Sequence, residues 1–529
     1  METLRIVLLL LAVSVPLALL ARWLALPYAV TLVLGGMALA FLPFLPQLTI
    51  EPGLVLAFFL PPLLHGAAVA MPWRAFRDNL RPILLLAVGL VLFTTLLVGV
   101  AVKLLVPSLP WAVCFATGAI ISPPDAVAAS SVLERMRLPP RLVVVLEGES
   151  LVNDASGLIL YKFAIAAALT GSFSFADALV EFATVSVLGV GVGCAVGLAT
   201  MWLAHRLPDT MLVIAVGILA AYGSYQLAEE AGGSGVLGTV ACGLIIGWRG
   251  PMDLTPEARI AGRTAWEVIV FLMNTVLFLF VGMSLDEVVL RVGATTFWEL
   301  VSVGIAVSLI AIAVRFLWVF PASFTQRYTL LGRPRPNPPP PLWALIVVSW
   351  AGMRGVVSLA AALAIPATLP NGAPFPGRDA VQVITFVVIV VTLVGQATTL
   401  GPLIRALGAE LPSPSGDPNA ATREHIAEVA VEHLRQRTDD PLDGAMALDL
   451  LPEFEARAAA VRGDGGAAAA VAAAARLSFY LETKRAQHRA LLELHREGRI
   501  SDATLQSLQL ELDLDELRMR RVLGSTGER

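Results

Sequence analysis

The chain has 529 residues, of which 57% are hydrophobic and 15% charged, and its mean hydropathy is +0.77. That much apolar surface excludes a water-soluble protein of this length. The formal net charge of −4 is uneven, because the part after residue 410 holds 15 basic and 20 acidic residues. No phosphate-binding loop or basic patch for nucleic acid is found in the sequence.

Apolar runs long enough to cross a bilayer recur along the first 410 residues and predict about 13 transmembrane helices. They lie near residues 5–22, 26–44, 53–71, 82–105, 110–133, 142–169, 180–204, 209–228, 235–248, 264–285, 297–321, 342–366 and 380–407. We therefore expect an all-α polytopic membrane protein, with a transmembrane domain at 1–410 and a cytoplasmic helical tail at 411–529. Such a number of spans favours a 6+1+6 inverted repeat around a central helix.

The distribution of basic residues supports this number of spans. If the N-terminus lies outside, the inside loops hold 15 basic residues and the outside regions hold four. Cytoplasmic loops carry such an excess of Lys and Arg, and an error of one span would remove the asymmetry. The N-terminus is predicted outside and the tail in the cytoplasm, in the plasma membrane, which for a bacterial protein is the inner membrane.

The fifth span reads "CFATGAIISPPDAVAASSVL", and Pro123 and Pro124 remove two backbone donors in its middle. They must break the helix. The twelfth span reads "LIVVSWAGMRGVVSLAAALAIP", where glycines flank Arg354. Interrupted helices at matching places in two halves indicate a transport site at the membrane midplane. Asp125 and Arg354 are expected to neutralise the partial charges of the broken helix ends.

The sixth span contains "VVLEGESLVNDASGLILYKFAIAAAL", with polar groups where lipid would make them unfavourable. Ser150 and Asp154 are four residues apart and share a helix face, as do Glu149 and Asn153. A hydroxyl and a carboxylate are oxygen ligands suited to a hard cation. We expect Asn153 to hydrogen-bond Glu149, and Arg354 to be the cation that keeps Glu149 ionised.

Asp154 can hold either a proton or a cation, but not both at once. That competition, combined with a site that opens to each side in turn, is antiport. Because position 153 is Asn, one carboxylate stands at this place, which favours an electroneutral exchange of one cation for one proton. No His lies near the candidate Ser, and "GES" does not match a nucleophile elbow, so we do not expect an enzyme.

Five segments, in order, resemble monovalent cation/proton antiporters of the NhaP and eukaryotic sodium/proton exchanger type. They are "TGAIISPPDAVAA", "EGESLVNDASGLILYKFA", "GSGVLGTVACGLIIG", "NTVLFLFVGM" and "GMRGVVSLAAALAIP". The resemblance implies a homodimer and identifies Asp154 as the ion- and proton-carrying residue, assisted by Ser150. It makes Asn153 and Glu149 companions of Asp154, and Arg354 their ionic partner. Asp125 matches the family's Asp in the first broken helix.

Two departures from the family pattern leave the transported ion open. The family often has Thr-Asp-Pro in the first broken helix, but here Asp125 stands between Pro124 and Ala126, with Thr117 and Ser122 nearby. The family often has a carboxylate just after the residue that matches His65, and here that position is Gly66. His65 is interpreted either as a pH-sensitive substitute or as a packed neutral side chain.

The leading hypothesis is a Na⁺/H⁺ antiporter that extrudes Na⁺ and serves pH and sodium homeostasis, without a cofactor. The alternatives are K⁺ or Li⁺ as the exchanged cation and, in a different class, a channel or sensor with the same fold. Among other charges in the spans, Arg315 is expected to snorkel or to fix a helix end, and Lys162 to pair within the bundle or to snorkel. Glu229 and Glu230 are expected in a solvated loop.

Overall fold

The computed structural model describes residues 2–24, 26–40, 52–125, 138–172, 174–325, 340–409, 420–440, 443–462 and 466–497, with single residues between 129 and 136 and between 499 and 515. The end of the second predicted span near residue 44, Ala126 and the linker after residue 410 lie outside the described residues.

The described secondary structure is helical apart from an isolated bridge between Thr368 and Pro374. The first unit contains α1 Glu2–Trp23, α2 Tyr28–Ala40, α3 Pro52–Ala70, α4 Trp73–Asp78, α5 Leu80–Leu105, α6 Trp111–Ile121, α7 Pro140–Thr170, α8 Phe175–Ala204, α9 Thr210–Glu230, α10 Gly235–Asp253, α11 Pro256–Val292, α12 Ala294–Thr325, α13 Leu342–Trp350, α14 Val356–Leu363 and α15 Arg378–Ala406. The second unit contains α16 Ala420–Arg437, α17 Gly444–Arg462 and α18 Gly466–Arg496.

Seven of the described helices are long and apolar enough to cross a membrane: α5, α7, α8, α9, α11, α12 and α15. Four shorter apolar helices lie within α1, α2, α3 and α6. Each of these 11 coincides with a predicted span. The chain is therefore a multi-pass helical membrane protein, as predicted from composition.

The helices of the first unit pack mainly in two groups. Helices α8, α9 and α10 pack on one another, α10 also packs on α3, and α11 packs along α2. In the other group α5, α6 and α7 pack on one another, and α15 packs on α12 and α14. In the most apolar window of α15 72% of the residues are buried, against 17% in α8, so α15 is central and α8 lies at the periphery of the first unit.

An ion pair joins α7 of one group to the last turn of α9 in the other. Nζ of Lys162 in α7 lies 2.9 Å from Oε2 of Glu229 in the last turn of α9. The same carboxylate accepts a 3.1 Å hydrogen bond from the backbone N–H of Gly235, at the start of α10. The expectation of a solvated loop is therefore wrong for Glu229, and Lys162 pairs within the bundle. Lys162 is exposed, and such a pair contributes about 1 kcal/mol or less.

The chain divides into two compact units, Met1–Leu411 and Pro412–Arg529. In the second unit α16 and α17 form a helical hairpin. Arg435 at the end of α16 pairs with Glu455 of α17 at 2.7 Å, and Arg437 pairs with Asp443 in the connection at 2.7 Å. These pairs are exposed, as the charged composition of this part of the sequence predicts.

Candidate functional site

Helix α7 holds its central polar side chains away from solvent. Glu149, Asn153 and Asp154 are 1%, 0% and 7% exposed, although α7 has the length and composition of a membrane span. A buried carboxylate is unfavourable unless it is paired, protonated or bound to a cation. The contacts of each carboxylate therefore decide what it can do.

The first break lies where the prolines predict it. Helix α6 ends at Ile121 and residues 122–125 are not helical, because Pro123 and Pro124 cannot donate to the helical ladder. The carbonyl of Pro124 accepts a 3.0 Å hydrogen bond from Nδ2 of Asn153 and a 3.5 Å one from Oγ of Ser150. Helix α7 thus supplies donors to a backbone group that the break leaves without a helical partner.

The predicted hydrogen bond between Asn153 and Glu149 is wrong. The Asn153 amide donates to Pro124, and its Oδ1 is buried without a partner among the described residues. The i,i+4 spacing places the two side chains near each other, but the buried carbonyl of Pro124 in the break after α6 is an acceptor that the sequence pattern does not reveal. Asn153 therefore connects α7 to the first break.

The second break is also present where predicted. Helix α13 ends at Trp350, α14 begins at Val356, and residues 351–355 between them are buried and not helical. The backbone N–H of Asp125 donates to the carbonyl of Met353 at 2.7 Å, so the two breaks are hydrogen-bonded to each other. The Asp125 carboxylate lies against Gly355, the N-cap of α14, where the helix dipole favours negative charge.

Gly355 is required because the Asp125 carboxylate occupies the space of a Cβ atom. We expect Gly355→Ala to lower the free energy of unfolding by about 1–3 kcal/mol, since the carboxylate or the backbone must move. The control is Gly395→Ala in α15, where a Cβ would meet nothing within 4 Å and helix propensity favours Ala. Thermal unfolding of both purified variants measures the difference, and equal melting temperatures would contradict the expectation.

The ionic partner of Glu149 is Arg315 of α12, not Arg354 as predicted. Nη1 and Nη2 of Arg315 lie 2.5 Å and 2.7 Å from the two carboxylate oxygens, a bidentate pair with both side chains buried. Nε of Arg315 donates to the carbonyl of Val348 at 2.9 Å. Arg315 therefore binds Glu149 and also supports the last turn of α13, which ends at the second break.

The prediction that Arg315 snorkels is wrong, because its side chain is buried. It does fix a helix end, but the end belongs to α13 and not to its own helix. Arg354 is buried too, and its Nη1 donates to the carbonyl of Gly352 at 2.8 Å. Its Nε has no partner in the described part of the chain. Arg354 thus serves the backbone of the second break, close to the role expected from helix-end electrostatics.

Asp154 differs from its neighbours in its contacts. Among the described residues no hydrogen-bond donor or cationic side chain pairs with it, and Asp125 lies near enough for the two carboxylates to repel each other. The hydroxyls of Thr117 and Ser122, also buried, donate to carbonyls of their own helix, those of Val113 and Ala119. A buried, unpaired carboxylate beside a broken helix is a place for a proton or a small cation.

Comparison of the sequence with known protein families identifies the family of the chain. The family described as "Sodium/hydrogen exchanger, transmembrane" matches residues 9–406 of the chain. The chain belongs to this family. A protein of Mycobacterium bovis named as an uncharacterized Na⁺/H⁺ exchanger is 31% identical over 93% of this chain and 91% of its own length.

A further relative agrees with the family, and a solved structure shares the fold. An antiporter of sodium, potassium, lithium and rubidium for H⁺ from Bacillus pumilus is 33% identical over 70% of this exchanger and 56% of its own length. The solved structure of the sodium proton antiporter MjNhaP1 from Methanocaldococcus jannaschii has a TM-score of 0.60 and 20% identity. It covers 77% of this exchanger and 99% of that protein, and shows that the two share a fold.

Position 66 of the exchanger packs against α11. A Cβ atom at Gly66 would collide with Val270 of α11, and the preceding side chain, His65, is fully buried with its ring 4.9 Å from that of Trp266. Neither ring nitrogen of His65 has a partner among the described residues. The packing against Trp266 agrees with the interpretation of His65 as a packed side chain.

Proposed function

We propose that this exchanger carries Na⁺ out of the cell in exchange for H⁺, one cation for one proton, with Asp154 binding each in turn. The observation that carries the proposal is the absence of a cationic partner for Asp154 among the described residues, although the side chain is buried. Membership of the sodium/hydrogen exchanger family and the B. pumilus relative support cation/proton antiport as the activity.

The charges around the two breaks support a one-for-one exchange. Beside Asp154, the charged side chains described at the two breaks and in their ion pair are Arg315, Arg354, Glu149 and Asp125, two cations and two carboxylates. Asp154 adds one further negative charge, which one proton or one monovalent cation neutralises. The site has the same net charge whether a proton or a monovalent cation is bound. The change between outward-open and inward-open forms therefore has the same electrostatic cost with either ion, and the cycle is electroneutral.

The proposed ion ligands are oxygen atoms of α7 and the first break. Asp154 and Ser150 are one helical turn apart and offer a carboxylate and a hydroxyl, which suit a hard monovalent cation. Asp125 contributes negative charge from the break, and Thr117 and Ser122 retain lone pairs there. Asn153, Glu149 and Arg354 belong to the supporting network, to which we add Arg315 as the partner of Glu149.

The proposal includes an architecture and a location. Thirteen spans in a 6+1+6 inverted repeat would relate the broken fifth span to the broken twelfth. The transmembrane domain would comprise 1–410 and the helical tail 411–529, with the N-terminus outside and the tail in the cytoplasm of a bacterial cell. The exchanger would work as a homodimer in the inner membrane, as the family resemblance implies.

Exchange of K⁺ or Li⁺ is the second candidate. It is favoured by Gly66, which leaves the third span without the carboxylate that the family often has there, and whose surroundings are filled by Val270. A site with fewer acidic ligands selects less strongly for the smaller ion. The B. pumilus relative is named as an antiporter of sodium, potassium, lithium and rubidium.

Exchange by purified wild-type protein in proteoliposomes tests the function. We expect NaCl added outside acid-loaded vesicles to dissipate the pH gradient, at a rate unchanged by an imposed membrane potential. Parallel additions of KCl and LiCl measure selectivity. If none of the three salts caused protons to move, the proposal would be refuted. A voltage-dependent current without coupled proton movement would establish a channel instead.

A further inference from the structure

Helix α15 has a buried polar face for which the proposed ion site gives no use. Gln382, Thr392 and Gln396 are 0%, 1% and 2% exposed, in a helix whose most apolar stretch is largely buried inside the protein. Buried amides and hydroxyls in a membrane span are unfavourable without hydrogen-bond partners. Their partners therefore indicate what the polar face does.

All three side chains contact the backbone of the second broken helix. Nε2 of Gln396 donates to the carbonyl of Trp350 at 2.9 Å, where α13 ends. Oγ1 of Thr392 accepts from the backbone N–H of Arg354 at 3.1 Å, in the middle of the break. Nε2 of Gln382 donates to the carbonyl of Ala362 at 3.3 Å, near the end of α14. The polar face of α15 thus binds the broken helix before, within and after its break.

The contact of Thr392 continues to α7 through two peptide units. The N–H of Arg354 and the C=O of Met353 belong to one peptide unit, and that carbonyl accepts from the N–H of Asp125 at 2.7 Å. The N–H of Asp125 and the C=O of Pro124 belong to the next unit, whose carbonyl accepts from Asn153 at 3.0 Å. Hydrogen bonds arranged in series polarise and strengthen one another.

We propose that Thr392 and Gln396 are positioning residues for the ion site on α7. Thr392 terminates the two-peptide series at α15, and Asn153, adjacent in sequence to Asp154, terminates it at α7. The orientation of the Met353–Arg354 peptide unit then fixes the position of the Asp125 backbone. Through the carbonyl of Pro124 it also fixes the position of the turn of α7 that carries Asp154. This proposal rests on the proposed function, because it takes Asp154 as the ion-binding group.

Thr392→Val tests the proposal, because Val keeps the shape of Thr and removes the acceptor for the N–H of Arg354. We expect the KM for the transported cation to rise about tenfold, equal to about 1.4 kcal/mol, with kcat within about threefold of wild type. Thr392→Ser keeps the hydroxyl and should restore the wild-type KM. The control is Thr398→Val, since the hydroxyl of Thr398 donates only within α15, to Val394 and Gly395.

A second readout separates this proposal from the proposed function. The stabilisation of the purified protein by added NaCl, measured as a shift in melting temperature, requires binding but not turnover. Thr392→Val is expected to need about tenfold more NaCl for the same shift. If the wild-type protein bound Na⁺ without exchanging it for H⁺, the proposed function would be contradicted. The effect of Thr392→Val on Na⁺ binding could still be measured from the melting temperature.

Two results would overturn the positioning role. One is a Thr392→Val variant with the same KM and the same NaCl dependence as Thr398→Val. The other is a Thr392→Ser variant as impaired as Thr392→Val. If Thr392→Val does not fold, Gln396→Met decides in its place, because it frees the carbonyl of Trp350 with little change in volume. An unchanged KM in Gln396→Met would then reject the proposal, and a rise of about threefold or more would support it.

Discussion

Asp154→Asn is expected to reduce cation-driven proton movement to background, a loss of at least about a hundredfold. The amide neither takes up a proton nor carries the negative charge that balances a bound cation. Ser150 and Asp125 cannot replace it, since the Ser150 hydroxyl has no charge and the Asp125 carboxylate is held against Gly355 at the start of α14. Fluorescence of a pH-sensitive dye in proteoliposomes, with Na⁺, K⁺ and Li⁺ in turn, measures the loss.

The melting temperature of Asp154→Asn shows whether the variant has lost ion binding or has lost its folded structure. Asp154 is buried, and no described side chain is its cationic partner, so removal of its charge should leave the melting temperature unchanged or raise it. Ser156→Ala is the matched control, because Ser156 lies two residues further along α7, is buried, and donates only to the carbonyl of Val152. We expect Ser156→Ala to exchange normally. Undiminished exchange by Asp154→Asn would refute the assignment of the site.

The helix breaks could be predicted because their causes are local. Pro123 and Pro124 lack an N–H wherever they stand, and Gly352 and Gly355 lower the helix propensity around Arg354, where the structure shows the second break. Span positions follow equally directly from apolar length. The sequence therefore predicts most of the helices and the two places where backbone groups lack hydrogen-bond partners within a helix.

The contacts between helices could not be predicted in the same way. Arg315 and Glu149 are 166 positions apart, and nothing in the sequence ranks Arg315 above Arg354 as a partner. The relevant signal is a lone Arg in a long apolar span, which predicts snorkelling or a contact with a helix end rather than a buried ion pair. Asn153 was assigned to Glu149 by helical spacing, whereas the acceptor that it contacts is a backbone carbonyl created by the break in α6.

The polar face of α15 was missed for a related reason. Gln382, Thr392 and Gln396 are visible in the sequence as polar positions in an apolar span, and their spacing places them along one side of the helix. Their partners are main-chain atoms of residues 350, 354 and 362. Backbone groups have no sequence signature, so only the folded chain reveals why these side chains are polar.

Arg315→Met is expected to destabilise the protein by about 3–5 kcal/mol, the second large effect. It leaves Glu149 buried without its bidentate partner and the carbonyl of Val348 without a donor. Glu149→Leu should have a similar effect, because it leaves Arg315 charged and buried. The double variant should lose less free energy of unfolding than the two single variants lose together, since it removes both charges at once. Thermal unfolding of the four purified proteins measures this coupling.

Arg354→Met provides the comparison that decides between the two arginines. Arg354 is as deeply buried as Arg315, but its described hydrogen bonds go to a carbonyl two residues away and to Thr392 through its own backbone. Among the described contacts no carboxylate is hydrogen-bonded to its side chain, so we expect a smaller loss of stability than in Arg315→Met. Its coupling to Glu149→Leu should also be weaker than that of Arg315→Met, which breaks two hydrogen bonds to Glu149. If Arg354→Met were the more destabilising and were coupled to Glu149, the ion pair would belong to Arg354, and the charge balance that leaves Asp154 for the transported ion would have to be assigned again.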